Sequence, residues 1–506
     1  MQLPILNIST MKLQTLFFLI LAVVFSACSV AEPPTEKPNI IIILADDMGS
    51  GDMQCYNANS RIPTPEMDKI AAEGIRFTDA HTNSAVCTPT RYGIITGQYC
   101  WRTRLKKGVL NGFSEHLIDP QRTTIASLLK QNGYYTTGVG KWHLGMDFAK
   151  DTAGVVDYTR NIENSPNVNG FDYFYGISAS LDFPPYVYIE NDHVTQIPTQ
   201  TQPYQDFPRY LREGDKAENF NFETAWENLL NKAENVIDNR PTDKPLFMYY
   251  ALPAPHKPVW PDARFVGTTE LGAYGDYVHQ TDYVIGRISE KLKAAGIEEN
   301  TLLIITSDNG SFMYRLNDNA PADHLTKSSV QGYYAKNHTA NYIYRGTKTD
   351  VWEGGHRVPF LVRWPAAIKK GQVKDQTICT TDFLATFADL MDVSLSDNEG
   401  EDSFSFLPLL LENDAEFSRA PIVNHSVSGT FAIRNGDYKL VLGSGSGGRE
   451  APRGKAWEKP YTMFDLGKDI SETTNIIDQN QELAKSMEET LKTIINSGTS
   501  KNLTNE

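Results

Sequence analysis

The chain is short of cysteine. Five occur in 506 residues, at positions 28, 55, 87, 100 and 379. That is too few and too widely spaced for a disulfide-stapled scaffold, although one bridge is compatible with the count. It is also short of positive charge: 47 Lys and Arg against 62 Asp and Glu give a formal net charge of −15. A generic nucleic-acid binder, which needs a basic face against phosphate, is thereby excluded. An anionic small substrate is not, because a few local cations make one pocket positive on an acidic protein. Internal repeats are absent, and low complexity is confined to the Pro-rich AEPPTEKP at 31–38. What remains is an ordinary globular composition, 40% apolar and 22% charged, too long for one hydrophobic core to keep growing.

The N-terminus holds one long apolar run, LQTLFFLILAVVF, preceded by Lys12 and followed by Ser26-Ala27-Cys28. A basic flank, an apolar centre and small residues before a cleavage point describe a secretory signal; the run is too short and too close to the end for a membrane span. Cysteine after Ser-Ala resembles a bacterial lipobox, so Cys28 is expected to be lipidated and to become the first mature residue, with Phe25 departing from the usual aliphatic. The expected organisation is a signal peptide with lipobox over 1–28, a tether over 29–37, a catalytic domain over 38–399 and a C-terminal subdomain over 400–506. The expected location is the periplasm or outer membrane, by lipid anchor.

Beyond the tether, apolar strands alternate with helical patterns. Asn39–Leu44 is a nearly continuous β-branched run, as in a parallel-sheet strand buried on both faces. Thr64 and Pro65 offer an N-cap and first turn to a helix with Met67, Ile70 and Ala71 on one face and a stop at Gly74. Ile125, Leu128 and Leu129 mark a second helix, followed by the strand TTGVG. LFMYYAL (246–252), a helix through Ile285, Ile288 and Leu292, the run Leu302–Thr306 and Val358–Arg363 continue the alternation. The fold class is therefore α/β with a large, mostly parallel central sheet flanked by helices. After the polar stretch at 396–401 the pattern changes. FAIRNGDYKLVLG reads as a hairpin around Asn-Gly, and a polar helix near 481–495 closes a smaller α+β unit with a short antiparallel sheet.

Sites in open α/β sheets gather at the carboxyl ends of strands, and the residues there carry chemistry. The first strand ends in Asp46-Asp47, and Leu302–Thr306 ends in Ser307-Asp308-Asn309-Gly310. Each pair alone is an ordinary turn or N-cap signal; four oxygen side chains at two parallel strand ends suit a hard cation such as Ca²⁺. TTGVG runs into Lys141-Trp142-His143, where alternation points Lys141 and His143 the same way. LFMYYAL runs into Pro253-Ala254-Pro255-His256-Lys257-Pro258, a rigid loop able to fix an acid–base group. Arg345 and Lys348, in the glycine-containing loop before Glu353-Gly354-Gly355-His356, can face an anion, and the glycines permit unusual angles or close approach.

Cys87-Thr88-Pro89-Thr90-Arg91, continuing YGIITGQY, resembles the Cys-x-Pro-x-Arg signature of the formylglycine-dependent sulfatases of the alkaline-phosphatase-like superfamily. NIIIILADDMG, GKWHLG, PAPHKP, TSDNG, YRGTKTDVWEGGHRVPF, FAIRNGDYKLVLG and MFDLGKDISETTNI resemble family blocks in the family's order, from about residue 38 to 480. The resemblance implies an alkaline-phosphatase-like sandwich. It implies that a sulfatase-maturing enzyme oxidises Cys87 to formylglycine (3-oxoalanine), whose hydrate attacks sulfur. Asp46, Asp47, Asp308 and Asn309 with modified Cys87 would bind Ca²⁺. Arg91 and Lys141 would stabilise the hydrate and the sulfate charge, and His143 would assist breakdown of the covalent adduct. His256 and Lys348 would contact sulfate and protonate the departing alkoxide, with Asp308 also placed to deprotonate the attacking hydroxyl. The expected activity is exo-hydrolysis of sulfate esters on oligosaccharides from a sulfated polysaccharide, either an algal glycan or a glycosaminoglycan. A phosphonate monoester hydrolase or phosphodiesterase on the same site, and a non-catalytic glycan-binding lipoprotein, are the alternatives. The aromatic-rich stretch 178–193 suits sugar stacking; Asp182, His193, Arg345 and His425 are the candidate substrate contacts.

Overall fold

The computed structural model describes residues 36–412 and 417–503. The signal, the lipobox Cys28 and the tether as far as residue 35 lie outside the described residues. The centre is a ten-stranded sheet built on β1 (Asn39–Asp46), whose Ile40–Leu44 are fully buried. Burial of each such side chain contributes roughly 1.5–3 kcal/mol, which is why this strand lies mid-sheet. The other members are β2 (Ile75–Phe77), β3 (Tyr135–Lys141), β4 (Tyr173–Ile177), β5 (Ile189–Glu190), β6 (His193–Val194), β7 (Leu246–Pro255), β8 (Thr301–Ser307), β9 (Phe360–Arg363) and β10 (Gln372–Lys374). Their spatial order is β10-β2-β9-β8-β1-β7-β3-β4-β5-β6.

The five strands β8-β1-β7-β3-β4 run parallel. On one flank only β9 is reversed: it pairs antiparallel with both β8 and β2, and β10 pairs parallel with β2; β5 and β6 close the other side as antiparallel additions. The apolar run at 358–363 thus continues the sheet but reverses direction. No long crossover helix lies between 307 and 360, so the chain re-enters from the end at which it left.

Helix α1 (Pro65–Glu73) begins and ends where Thr64, Pro65 and Gly74 place it. Thr64 does not cap it through its side chain. Its hydroxyl instead accepts from the Gln54 N–H (2.9 Å) and donates to Asp68 (3.2 Å), tying the segment after β1 to the helix. Helices α2 (Cys87–Thr96), α3 (Ile125–Gln131), α4 (Ala225–Asp238) and α5 (Gly272–Ala294) belong to the larger unit, as does a helix over Phe383–Leu390.

At the C-terminal end, β11 (Ile422–His425), β12 (Phe431–Asn435), β13 (Tyr438–Leu442) and β14 (Thr462–Asp465) form a separate four-stranded antiparallel sheet. The Asn-Gly signal marks its hairpin one residue early. Asn435 still pairs with Tyr438, and Gly436, at φ +55°, opens the two-residue loop. Helix α6 (Gln481–Ser497) lays Met487, Leu491 and Ile494 on this sheet, against Val423, Ile433 and Leu440. Tyr99 and Trp101, just beyond α2, sit in the same core. The small sheet therefore packs directly on the segment that carries Cys87. Cys55, Cys87, Cys100 and Cys379 are all free.

Candidate active site

The parallel strands deliver their ends to one place. Between Leu44 and Asp46 the register of β1 on β7 shifts, and Asp47 follows at φ +68°, an uncommon backbone for a non-glycine residue. The two adjacent carboxylates thereby face one cleft. Cys87 is the first residue of α2, with Val86 as extended N-cap, so the free amides of that helix end surround it. The loop before it is held by Ala85 N–H on the His425 carbonyl (3.0 Å). It is also held by the glycine pair at 354–355: a Cβ on Gly355 would sit 2.0 Å from the Asp350 carbonyl oxygen and 3.0 Å from Ala85 Cβ. Close approach, not positive φ, is what those glycines provide.

Around Cys87 the charges alternate at contact distance. Lys348 Nζ donates to Cys87 Sγ at 3.1 Å and to Asp47 at 2.5 Å. Lys141 Nζ reaches both Asp46 oxygens at 2.9 and 2.7 Å. Arg91 forks onto Asp308 Oδ2 with Nε at 3.0 Å and Nη2 at 2.7 Å, and donates Nη1 to the Lys141 carbonyl at 3.0 Å. Asp46, Asp47, Asp308, Arg91 and Lys141 are at most 1% exposed, Lys348 9%. Burial works against ionised Asp308, yet Arg91, Lys141 and Lys348 hold its carboxyl well below the usual range. Burial, reinforced by the Asp308 and Asp47 carboxylates, pushes Asp46 up to about 7 in spite of Lys141. The Cys87 thiol is pushed up to about 12 by burial and then by Asp308. It is therefore a thiol, not a reactive thiolate.

Two histidines stand in this cleft, both neutral. Burial, then Lys141, keeps His143 well below its ordinary range; burial, then Lys348 and Lys141, does the same to His256. His143 donates Nε2–H to the Leu110 carbonyl (2.8 Å), which leaves its buried Nδ1 without a partner and able to accept. His256 donates Nδ1–H to the Lys257 carbonyl (2.5 Å), so its Nε2 lone pair faces Asp47 Oδ2 at 3.6 Å.

A cation fits this donor set. Three carboxylates converge, and the buried Asn309 Oδ1 has no hydrogen-bond partner while its Nδ2 donates to Asp47 at 2.6 Å. Possible ligand atoms of Asp46, Asp47, Cys87 and His256 lie within 4.8 Å of one another. An oxygen-dominated set of this kind suits a hard divalent ion.

The structure thus brings together Asp46, Asp47, Cys87, Arg91, Lys141, His143, His256, Asp308, Asn309 and Lys348. Asp182 joins them: it ion-pairs with Arg212 and lies 3.8 Å from His256 Nδ1. The other substrate candidates are placed elsewhere. His193 is exposed on the edge strand β6 and pairs with Asp192 at 3.2 Å. His425 is fully buried, its ring bonded to the Ser426 carbonyl. Arg345 is taken up by Glu450 (2.6 Å) and the Trp352 ring (4.0 Å) and lines a separate cavity of about 510 Å³. Sequence reasoning missed Arg212. Its signal is the alternation of rings and cations in YQDFPRYLR (204–212), where 178–193 instead combines rings with acids.

A family model described as Sulfatase matches residues 38–393, and one described as N-sulphoglucosamine sulphohydrolase, C-terminal, matches 347–497. The N-acetylgalactosamine-6-O-sulfatase of Bacteroides thetaiotaomicron is 34% identical over 91% of this chain and 93% of its own length. The N-acetylgalactosamine-6-sulfatase of Homo sapiens is 30% identical over 74% of this chain and 66% of its own. A solved structure from work on glycosaminoglycan metabolism by Bacteroides thetaiotaomicron superposes with a TM-score of 0.79. It is 31% identical and covers 91% of this chain and 100% of its own. With these matches spanning both the cleft and the small sheet, the chain belongs to the sulfatase family and is a sulfuric ester hydrolase.

Proposed function

We propose that the chain is an exo-acting carbohydrate sulfatase that removes a 6-O-sulfate from a terminal galacto-configured sugar. The observation that carries the reaction type is a thiol at a helix N-terminus, enclosed by Lys348, Lys141 and Arg91 with two neutral histidines beside them. The sugar follows from relatives named as N-acetylgalactosamine-6-sulfatases.

Loss of sulfur from Cys87 on oxidation to an aldehyde, followed by hydration, would supply one hydroxyl to attack and a second to expel sulfate, which plain serine or cysteine lacks. Asp46, Asp47, Asp308 and Asn309 would hold a divalent cation, Ca²⁺ by its oxygen donors, and its charge would stabilise the sulfate oxygens. Lys141, Lys348 and Arg91 add positive charge that is fixed in place before substrate arrives. The free Nδ1 of His143 can take a proton from a hydroxyl at residue 87. His256 Nε2 and Lys348 face the leaving-oxygen side. Lys348, held protonated by Asp47 against the cost of its burial, can donate there directly. A sulfate offsetting Lys348 and Lys141 would make it easier for His256 to take up a proton against the cost of its burial. Asp308, clamped in its ionised form by Arg91, suits a cation ligand better than a proton acceptor. A maturing enzyme is implied by the chemistry at Cys87, and export with lipidation at Cys28 by the N-terminal pattern.

The test is desulfation of defined sugars by co-matured protein: N-acetylgalactosamine and galactose sulfated at O6, their O4-sulfated isomers, the gluco epimers and a matched phosphodiester. Release from the 6-O-sulfated galacto sugars is expected. Predominant phosphodiester turnover, or turnover confined to another position, overturns the proposal.

A further inference from the structure

A second set of cations lies outside those that face Cys87. Lys257 directly follows His256, and its ammonium sits over the Tyr210 ring, 4.4 Å from the centroid. The charged groups in electrostatic reach of it are Asp182, Arg449, Lys348 and Asp47. Arg449 approaches from the loop after the small sheet's hairpin. It donates to the Phe312 carbonyl (3.2 Å) and Gln331 (3.4 Å), with its guanidinium over Tyr314 at 5.5 Å. The Phe312 ring in turn meets Phe207 at 6.2 Å, and the segment from Phe207 carries Tyr210 and Arg212. Arg212 stacks on Phe183 at 3.8 Å and pairs with Asp182.

Among the described residues no carboxylate lies within the 4.0 Å ion-pairing distance of the Lys257 ammonium or the Arg449 guanidinium, although the Arg449 backbone N–H donates to Asp350 at 2.5 Å. Both are half-buried, and they repel each other. The inner cluster is already balanced, with Asp46, Asp47 and Asp308 against Arg91, Lys141 and Lys348. In the outer one Arg212 is ion-paired with Asp182, while the charged heads of Lys257 and Arg449 have no ion-pair partner. On a chain of net charge −15, a local excess of half-desolvated cations gains back its hydration cost only from an anion. The sulfate undergoing hydrolysis is held by the inner cations, so the anion must belong to another part of the same substrate. Tyr210 and Phe183 beside these cations suit the sugar ring that would carry it.

We propose that Lys257 and Arg449 form a second anion subsite that takes the carboxylate or sulfate of the sugar next to the one being desulfated. This rests on the carbohydrate-sulfatase reading and narrows it to polyanionic glycans.

The test compares disaccharides that share one 6-O-sulfated terminal sugar. In one the neighbour is a uronic acid, in the second its carboxyl is reduced to the alcohol, and in the third that neutral neighbour carries a sulfate. Wild-type kcat/KM is expected to favour a charged neighbour over the neutral one by about five- to tenfold at low ionic strength, falling towards unity in high salt. The carboxylate and sulfate arms tell which anion is preferred. In Lys257→Gln and Arg449→Gln the ratio of charged to neutral kcat/KM is expected to fall towards one; being a ratio, it is insensitive to partial loss of folded enzyme. Equal rates on charged and neutral disaccharides, or a ratio unmoved by salt in the wild type, overturn the subsite while leaving the sulfatase reading intact. Turnover of none of the three overturns both.

Discussion

At the scale of single residues, the proposed proton step falls on His256 and the proposed cation on Asn309. His256 has Nε2 free and is neutral because burial and Lys348 disfavour its charge. If it delivers a proton to the leaving oxygen, His256→Gln lowers kcat on a sugar sulfate by about 10²–10⁴-fold. The loss is much smaller on a nitrophenyl sulfate, whose leaving group needs no proton. Equal losses on both substrates would assign His256 to binding alone. The unpartnered Asn309 Oδ1 and the three carboxylates make the second case. Treatment with a chelator is expected to abolish turnover and lower Tm, and Ca²⁺ at about a hundred times its Kd to restore about 2.7 kcal/mol of stability. Calorimetry with and without the ion measures that difference; activity and Tm indifferent to chelator would remove the cation from the account.

At the scale of elements, the small sheet is fastened to the loop before Cys87 by a buried charge network. Lys439 on β13 reaches Glu353 (2.9 Å), Glu472 (2.8 Å) and His356 Nε2 (3.1 Å), and Arg434 on β12 reaches Asp79 (2.7 Å) and His81 (2.9 Å). His81 and His356 touch through their Nδ1 atoms at 3.0 Å. Their atoms lie close enough to Glu353 for a metal, but Lys439 and Arg434 occupy that space with positive charge, so the network is closed by protein alone. Lys439→Met strands two buried carboxylates and is expected to cost about 3–5 kcal/mol by chemical denaturation.

The elements themselves are largely legible in the sequence. Buried strands such as Asn39–Asp46 announce themselves by unbroken β-branched runs, and α1 by Thr64-Pro65 and Gly74. The direction of β9 is not legible, because orientation is set by the route of the connecting chain and not by the strand's own residues. The core of the site is readable because Asp46, Asp47, Asp308 and Asn309 lie at recognisable strand ends. The substrate wall is not. His193, His425 and Arg345 have the right chemistry, but edge position, burial and a Glu450 partner, all tertiary facts, place them elsewhere. Arg212 and Arg449 enter the cleft region from far along the chain.

At the scale of the whole molecule, buried histidines set the acid limit. His425 is held down to about 4 by burial against the Ser426 carbonyl bond, while the unfolded chain protonates it near 6.5. A depressed base stabilises the fold above its unfolded pKa and loses that contribution as pH falls towards its folded one. His425 alone should therefore cost about 1.4 kcal/mol per pH unit between 6.5 and 4. Denaturation midpoints of His425→Gln at pH 7 and pH 5 should differ less than those of the wild type; an identical pH slope would contradict the assignment.

The central claim is that Cys87 acts only after it has lost its sulfur. In preparations made with graded amounts of maturing enzyme, the fraction of the Cys87 peptide carrying the aldehyde can be measured by mass spectrometry beside the rate of sulfate release. The rate should rise in proportion to that fraction and extrapolate to zero with none converted, as in Cys87→Ala. Full activity in protein whose Cys87 is an intact thiol would contradict the account.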